Sequence, residues 1–173
     1  RIMGYKLASN TWDSKEIEAI HAVIKSDMYS MGKKVEKYEK DFAKYIGSDF
    51  AIMTSSGSTA NLLMIAAMFF TKDESRKLRR GDEVIVPVVS WSTTYFPLQQ
   101  YGLKIKFVDI DRDTLNIDLD QLKSAITDKT KAILTVNLLG NPNDFDAIQD
   151  LVGDRNVIIL EDNCESLGAT YGD

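Results

Sequence analysis

Apolar residues recur at helical spacing in the first quarter of the chain. The apolar positions that follow Asp13 fall on one face, which predicts an amphipathic helix over residues 14–26. Glu16 follows Asp13 by three residues, as in a capping box, and marks the start of that helix. The same periodicity predicts a second helix over residues 33–46. Residues 1–48 are therefore predicted to form an N-terminal helical segment.

From residue 49 onward, short apolar runs alternate with helical patterns. The alternation predicts an α/β fold of three layers, in which a mostly parallel sheet carries helices on its faces. The predicted strands are 50–54, 83–87, 104–109, 132–137 and 157–160, and the predicted helices are 59–70, 93–101, 120–126 and 144–152. Residues 49–173 are assigned to this second part of the chain.

Composition and charge narrow the class of protein. The chain has 173 residues, of which 44% are hydrophobic and 27% charged, and its net charge is −5, which fits a globular domain and argues against nucleic acid as a partner. No apolar run reaches the roughly 18 residues of a membrane span, and no signal peptide is visible, so no membrane partner is predicted. The single cysteine, Cys164, suits a reducing compartment, and a cytoplasmic location is predicted. The single histidine, His21, has no second histidine with which to share a metal, so no metal site is predicted.

The most informative stretch is the last predicted strand, because its four apolar residues end abruptly in acidic ones. Asp162 and Glu165 follow Leu160 closely, at the strand end where open parallel sheets bind ligands. A carboxylate there can pair with the pyridinium nitrogen of pyridoxal phosphate and keep the cofactor ring protonated. Taken alone, however, the cap of a following turn or helix is the better explanation of Asp162.

A turn of small and hydroxyl residues links the first predicted strand to the next helix. Residues 54–61 read Thr-Ser-Ser-Gly-Ser-Thr-Ala-Asn. Such a turn leaves backbone N–H groups free at the positive end of a helix, and Ser58 and Thr59 add hydroxyl donors. The turn therefore suits a phosphate group as its ligand. The spacing matches neither a dinucleotide-binding loop nor a P-loop. In isolation, a turn capped by Ser58 explains these residues equally well.

Trp91 follows the second predicted strand, in the stretch Pro-Val-Val-Ser-Trp-Ser-Thr-Thr at residues 87–94. A tryptophan just past a strand end can stack on a planar heteroaromatic ring, although burial in a core is the commoner role of an aromatic residue. Three strand ends thus supply a phosphate turn, a stacking ring and an acid. Together they describe a pyridoxal phosphate site better than any one of them does alone.

Four stretches of the chain together resemble the DegT/DnrJ/StrS family of nucleotide-sugar aminotransferases. They are residues 54–61, 87–94, 136–142 and 161–169, and the likeness extends over nearly the whole chain. The resemblance implies the fold-type I architecture of pyridoxal phosphate-dependent transferases. Residues 49–173 would then be the first part of the large, cofactor-binding domain.

The resemblance also implies a cofactor, partners and individual residue roles. The cofactor would be pyridoxal 5′-phosphate or pyridoxamine 5′-phosphate, the substrate a nucleotide-linked 4-keto sugar, and the amino donor glutamate. The full-length protein would be a homodimer. The implied cofactor-binding residues are Gly57 and Ser58 at the phosphate, Trp91 stacked on the ring, Asp162 paired with the ring nitrogen, and Glu165 near the cofactor.

Within the family, the forms Ser-Gly-Ser-Thr-Ala-Asn, Ser-Trp-Ser-Thr-Thr-Tyr and Glu-Asp-Asn-Cys-Glu look most like one branch. That branch removes the C3 hydroxyl of GDP-4-keto-6-deoxymannose in the biosynthesis of dideoxysugars for O-antigen and lipopolysaccharide. An aminotransferase acting on a nucleotide sugar is the alternative enzyme, and a non-catalytic α/β module that binds a phosphate ligand is the alternative of another class. Family members are longer, and their catalytic lysine or histidine lies downstream of Asp173. The chain is therefore expected to be an N-terminal part that is inactive alone.

Overall fold

The computed structural model describes residues 9–172. The expectation that the first residues contain no signal peptide concerns residues outside that range. The chain divides into two compact units, with the boundary between Met53 and Thr54. Whether residues 1–48 and 49–173 are separate domains stays a prediction. No helix in the described range is long and apolar enough to cross a membrane.

The first unit contains two helices at the predicted positions, α1 (Ser14–Ser26) and α2 (Lys33–Ile46). The capping box at the start of α1 is confirmed: the Asp13 carboxylate accepts the Lys15 N–H at 2.7 Å, and the Glu16 carboxylate accepts the Asp13 N–H at 2.8 Å. These bonds satisfy backbone donors that the first helical turn leaves without a partner.

The predicted strand over residues 50–54 is wrong. The segment joins no strand of the described residues, and Phe50 is 86% exposed. The Met53 N–H donates instead to the Glu39 carboxylate at 2.8 Å. An apolar run becomes a strand only where a neighbouring backbone pairs with it, and residues 9–172 supply no such neighbour here.

The second unit is built on a four-stranded parallel sheet in the order β2-β1-β3-β4. The other four predicted strands and the four predicted helices are confirmed, with ends that shift by one or two residues. The strands are β1 (Glu83–Pro87), β2 (Lys104–Val108), β3 (Thr130–Val136) and β4 (Ile158–Asp162). The helices are α3 (Gly57–Phe70), α4 (Ser92–Gln100), α5 (Leu119–Ala125) and α6 (Phe145–Val152), with short 3-10 turns at Glu74–Arg76 and Leu138–Gly140.

The order of the strands reverses direction beside β1. The chain passes from β1 to β2 on one side, then crosses to β3 and β4 on the other side. In open parallel sheets, such a reversal separates the loops at the carboxyl ends of the strands and opens a crevice between them. The loops after β1 and β3 lie on either side of this point.

Side chains that alternate along β1 and β3 form two hydrophobic cores, one on each face of the sheet. The first core joins the strands to α3 and α4, and the second joins them to α5 and α6. The first contains Ile65, Val84, Val86, Leu98, Ala132 and Leu134, and the second contains Ile85, Leu122, Ile133 and Ile148. The three-layer prediction is therefore confirmed.

We expect Leu134→Ala to lower the free energy of unfolding of this chain by about 2–5 kcal/mol, because Leu134 is fully buried and its truncation leaves a cavity. The matched control is Leu167→Ala at a side chain that is 70% exposed, which should change the free energy by no more than about 0.5 kcal/mol. Urea denaturation followed by circular dichroism measures both. Equal losses in the two variants would contradict the position of the core.

Candidate functional site

Asp162 lies at the end of β4, and only 7% of its surface is exposed. Its Oδ2 accepts hydrogen bonds from Asn61 Nδ2 and from the Thr94 hydroxyl, both at 2.9 Å. Its Oδ1 accepts the Cys164 N–H at 3.2 Å. Within residues 9–172, no lysine or arginine forms an ion pair with this carboxylate. A buried carboxylate held only by neutral donors can still accept a hydrogen bond from a cation.

The sequence position of Asp162 allows two explanations, a local turn cap or a carboxylate that binds a ligand. The hydrogen bonds of Asp162 help to distinguish them. The bond from Cys164 is a local turn cap, as the simpler explanation requires. The bonds from Asn61 and Thr94 are not local, because these residues lie 101 and 68 positions away along the chain. Turn capping alone therefore leaves two of the three hydrogen bonds unexplained.

Gly57 and Ser58 are the first two residues of α3, but Ser58 does not cap the helix. The cap is Ser56, whose hydroxyl accepts the Thr59 N–H at 3.2 Å, while the Thr59 hydroxyl accepts the Ser56 N–H at 3.0 Å. The capping role considered for Ser58 is wrong, because the cap residue must precede the first helical turn. The N–H groups of Gly57 and Ser58 have no acceptor among the described residues. Free N–H groups at the positive end of a helix suit an anion.

Asn61 fixes the turn at the start of α3 against the sheet. It lies one helical turn after Gly57 and donates to Asp162. The start of α3 is thereby tied to the carboxyl end of β4. The free N–H groups and the buried carboxylate consequently belong to one site.

Trp91 immediately precedes α4, and 74% of its surface is exposed. Trp91 is therefore not buried in the core that residues 9–172 form. Thr94 lies three residues further on and contacts Asp162, so the start of α4 is also tied to the end of β4. The indole thus belongs to the helix end that meets the carboxylate and is free to contact a ligand.

Glu165 is exposed, and its Oε2 accepts the Leu139 N–H at 2.6 Å. Leu139 has a φ of 54°, a left-handed conformation that is uncommon for a residue with a Cβ. Glu165 therefore links the loop after β4 to the loop after β3. The described contacts do not join it to Asp162, and its expected place near a cofactor stays a prediction.

Asn61 and Thr94 are the two site residues that sequence reasoning did not single out. Both lie within the stretches that carry the family resemblance, but no role was assigned to them. Asn61 did offer a signal, because it is the single amide in a helix that is otherwise apolar beyond its first turn. A lone amide on such a helix indicates a buried hydrogen-bond partner. Thr94 offered no comparable signal in the sequence, because it stands among several other hydroxyl residues.

Cys164 is held in its neutral form. Partial burial, reinforced by the negative charge of Asp162, raises the pKa of its thiol from 9.0 to about 11. Because the thiolate is the nucleophilic form, the residue is a poor candidate for covalent chemistry. The groups of this site that can bind a charged ligand are the carboxylate of Asp162 and the free N–H groups at the start of α3.

Comparison with known proteins places these features in a family. Residues 10–173 match the model of the DegT/DnrJ/EryC1/StrS aminotransferase family. The GDP-4-keto-6-deoxy-D-mannose 3-dehydratase of Yersinia pseudotuberculosis is 68% identical over 168 residues, which are 97% of this chain and 42% of that protein. This chain therefore spans about two fifths of the length of that relative.

Solved structures of related proteins also superpose closely on this chain. A crystal structure of GDP-4-keto-6-deoxymannose-3-dehydratase, a mutant with bound GDP-perosamine, superposes with a TM-score of 0.94 at 64% identity and covers 98% of this chain and 44% of that one. A second structure of a GDP-4-keto-6-deoxymannose-3-dehydratase, with the same coverage and the same TM-score of 0.94, contains a trapped PLP-glutamate geminal diamine. The predicted fold-type I architecture is confirmed over the part of those proteins that the chain covers.

The raised pKa of Cys164 makes a prediction about thiol reactivity. The rate of alkylation by iodoacetamide should keep rising about tenfold per pH unit past pH 9 instead of levelling off there, because the thiolate fraction is still small. Asp162→Asn should move the profile to lower pH by removing a neighbouring negative charge. A Cys164→Ser variant supplies the background rate. A plateau below pH 9 in the unmodified chain would contradict the assigned environment.

Proposed function

Because the chain belongs to the DegT/DnrJ/EryC1/StrS aminotransferase family, we propose that it is the N-terminal part of a pyridoxal phosphate-dependent sugar-nucleotide 3-dehydratase. The proposed reaction removes the C3 hydroxyl of GDP-4-keto-6-deoxymannose, a step in dideoxysugar biosynthesis. The observation that carries the proposal is the buried carboxylate of Asp162, held by neutral donors at the carboxyl edge of the sheet. The high identity with known 3-dehydratases supports the choice of substrate.

The donor set of the site fits the proposed cofactor. A phosphate group needs several N–H donors, and Gly57 and Ser58 have theirs free at the positive end of α3. A protonated ring nitrogen needs an acceptor without a competing cation, and no lysine or arginine of residues 9–172 forms an ion pair with Asp162. A planar ring needs an apolar face, and the exposed indole of Trp91 supplies one.

Each of these residues has a defined part in the chemistry. When bound, the cofactor supplies an amine for the sugar ketone and a ring that accepts electrons. Asp162 holds the proton on the ring nitrogen, because its negative charge stabilises the cationic form. Gly57 and Ser58 would hold the phosphate through their free N–H groups. Trp91 would offer its exposed indole to one face of the ring.

The wider properties of the enzyme follow from the same proposal. Glutamate would return the cofactor to its amine form, pyridoxamine 5′-phosphate, and the geminal diamine trapped in a related structure supports this choice of donor. The homodimer and the cytoplasmic location stay predictions, the latter supported by the unpaired thiol of Cys164. The catalytic lysine or histidine is proposed to lie downstream of Asp173, so residues 1–173 alone should be inactive.

A nucleotide-sugar aminotransferase is the second candidate, favoured by the family to which the chain belongs. Both candidates need the contacts of Gly57, Ser58, Trp91 and Asp162, so this part of the site does not separate them. A non-catalytic module that binds a phosphate ligand would use the turn at the start of α3. It would leave the buried carboxylate of Asp162 without a use.

The reaction products distinguish the three candidates. Given GDP-4-keto-6-deoxymannose, pyridoxal phosphate and glutamate, the full-length protein should form a 3-deoxy keto sugar, 2-oxoglutarate and ammonia, which mass spectrometry and an ammonia assay detect. A stable 4-amino sugar as the main product would favour the aminotransferase. Binding of the phosphate ligand without any turnover would favour the non-catalytic module.

Replacing the carboxylate tests the role of Asp162 in the same reaction. Asp162→Asn in the full-length protein should lower kcat by about 10- to 100-fold, because a charge-assisted hydrogen bond to the ring nitrogen contributes about 1.5–3 kcal/mol. The matched control is Glu161→Gln, since Glu161 is exposed and bonds to Asn137 instead of the site. The control should retain near-normal kcat. Near-normal turnover in Asp162→Asn would return Asp162 to a capping role.

A further inference from the structure

The two oxygens of the Asp162 carboxylate differ in how many hydrogen bonds they accept from residues 9–172. Oδ2 accepts two, from Asn61 Nδ2 and from the Thr94 hydroxyl. Oδ1 accepts one, from the Cys164 N–H. Since each carboxylate oxygen has room for about two donors, Oδ2 is saturated and Oδ1 is not. Oδ1 is therefore the oxygen with room for a further donor.

The direction of each hydrogen bond around Oδ2 follows from the chemistry of the partners. An ionised carboxylate only accepts, so the hydroxyl proton of Thr94 points at Asp162. The Ser90 hydroxyl, 3.0 Å from that of Thr94, must then be the donor in their contact. Ser90, Thr94 and Asp162 thus form a chain in which every hydrogen bond has the same direction. Such chains strengthen each member by polarisation.

Neighbouring groups must fix the plane of the Asp162 carboxylate, because the χ2 torsion rotates with little resistance. The χ2 torsion of an aspartate joins a tetrahedral carbon to a planar one and has no sharp preferred angle. Burial alone does not set this angle at Asp162. The two donors on Oδ2 come from different helices, α3 and α4, and together they fix the plane.

We propose that Asn61 and Thr94 are positioning residues that hold Oδ2 of Asp162, so that Oδ1 is the oxygen that accepts the N–H of the cofactor ring. This inference rests on the proposed function, because it requires a pyridine nitrogen as the ligand atom. Neither residue contacts the ring. Both act through the orientation of the Asp162 carboxylate.

The test compares two probes that differ at the ring nitrogen alone. One is pyridoxamine 5′-phosphate, and the other is its 1-deaza analogue, in which a carbon replaces the nitrogen. The dissociation constant of each is measured by fluorescence with the full-length protein. The wild-type protein should bind the nitrogen-containing probe about 10- to 100-fold more tightly, as expected for a charge-assisted hydrogen bond.

Thr94→Val should reduce this preference about tenfold and leave the affinity for the deaza analogue unchanged. Asn61→Leu, the second variant, should act in the same direction. Thr94→Ser keeps the hydroxyl and should keep the preference. Thr93→Val is the matched control, because it makes the same substitution one residue earlier on α4.

In an Asp162→Ala background, Thr94→Val should have no further effect on either probe, as a double-mutant cycle requires for residues that act through one another.

The outcomes separate this inference from the proposed function. A Thr94→Val variant that weakens both probes equally has only a structural defect, which would overturn the positioning role. An unchanged preference in both Thr94→Val and Asn61→Leu would overturn it as well. If the wild-type protein binds both probes equally, Asp162 does not contact a ring nitrogen and the inference fails, whereas binding of neither probe would overturn the proposed function.

Discussion

The structure of the site depends on the hydrogen bonds that hold the buried carboxylate of Asp162. An ionised carboxylate is costly to remove from water, and its burial at the end of β4 is offset by three neutral donors. Two of those donors lie at the starts of α3 and α4. The requirement to satisfy one carboxylate therefore draws two helix ends to one strand end. The turn that opens α3 and the residue that precedes α4, Trp91, are therefore both tied to the end of β4.

The parallel sheet makes this arrangement possible. Each strand of a parallel sheet ends at the same edge, so residues that are far apart along the chain meet there. The reversal of strand order beside β1 separates the loops after β1 and β3. The candidate residues all lie at a strand end, in a loop after a strand, or in the first turn or two of a helix. The sheet thus supplies the position of the site, while the hydrogen bonds to Asp162 supply its local geometry.

Sequence reasoning predicted the elements whose signals are local and missed the contacts that are not. The helices and four strands were predictable because their periodicity is written in consecutive residues. The strand over residues 50–54 was mispredicted, because an apolar run does not reveal whether a neighbouring backbone will pair with it. The turn before α3 was recognised, but the cap considered for it was Ser58 and not Ser56, since the first helical residue could not be located closely enough. The bonds from Asn61 and Thr94 join residues 101 and 68 positions apart, a distance that no local pattern spans.

The proposed role of Asp162 is to keep the nitrogen of a bound pyridine ring protonated. Nitrogen-15 NMR of the full-length protein, loaded with pyridoxamine 5′-phosphate labelled at the ring nitrogen, measures this directly, because the chemical shift reports whether that nitrogen carries a proton. At neutral pH we expect a protonated nitrogen in the wild-type protein and an unprotonated one in Asp162→Asn, where the amide removes the stabilising charge. An unprotonated nitrogen in the wild-type protein, or the same shift in both proteins, would show that Asp162 does not protonate the ring.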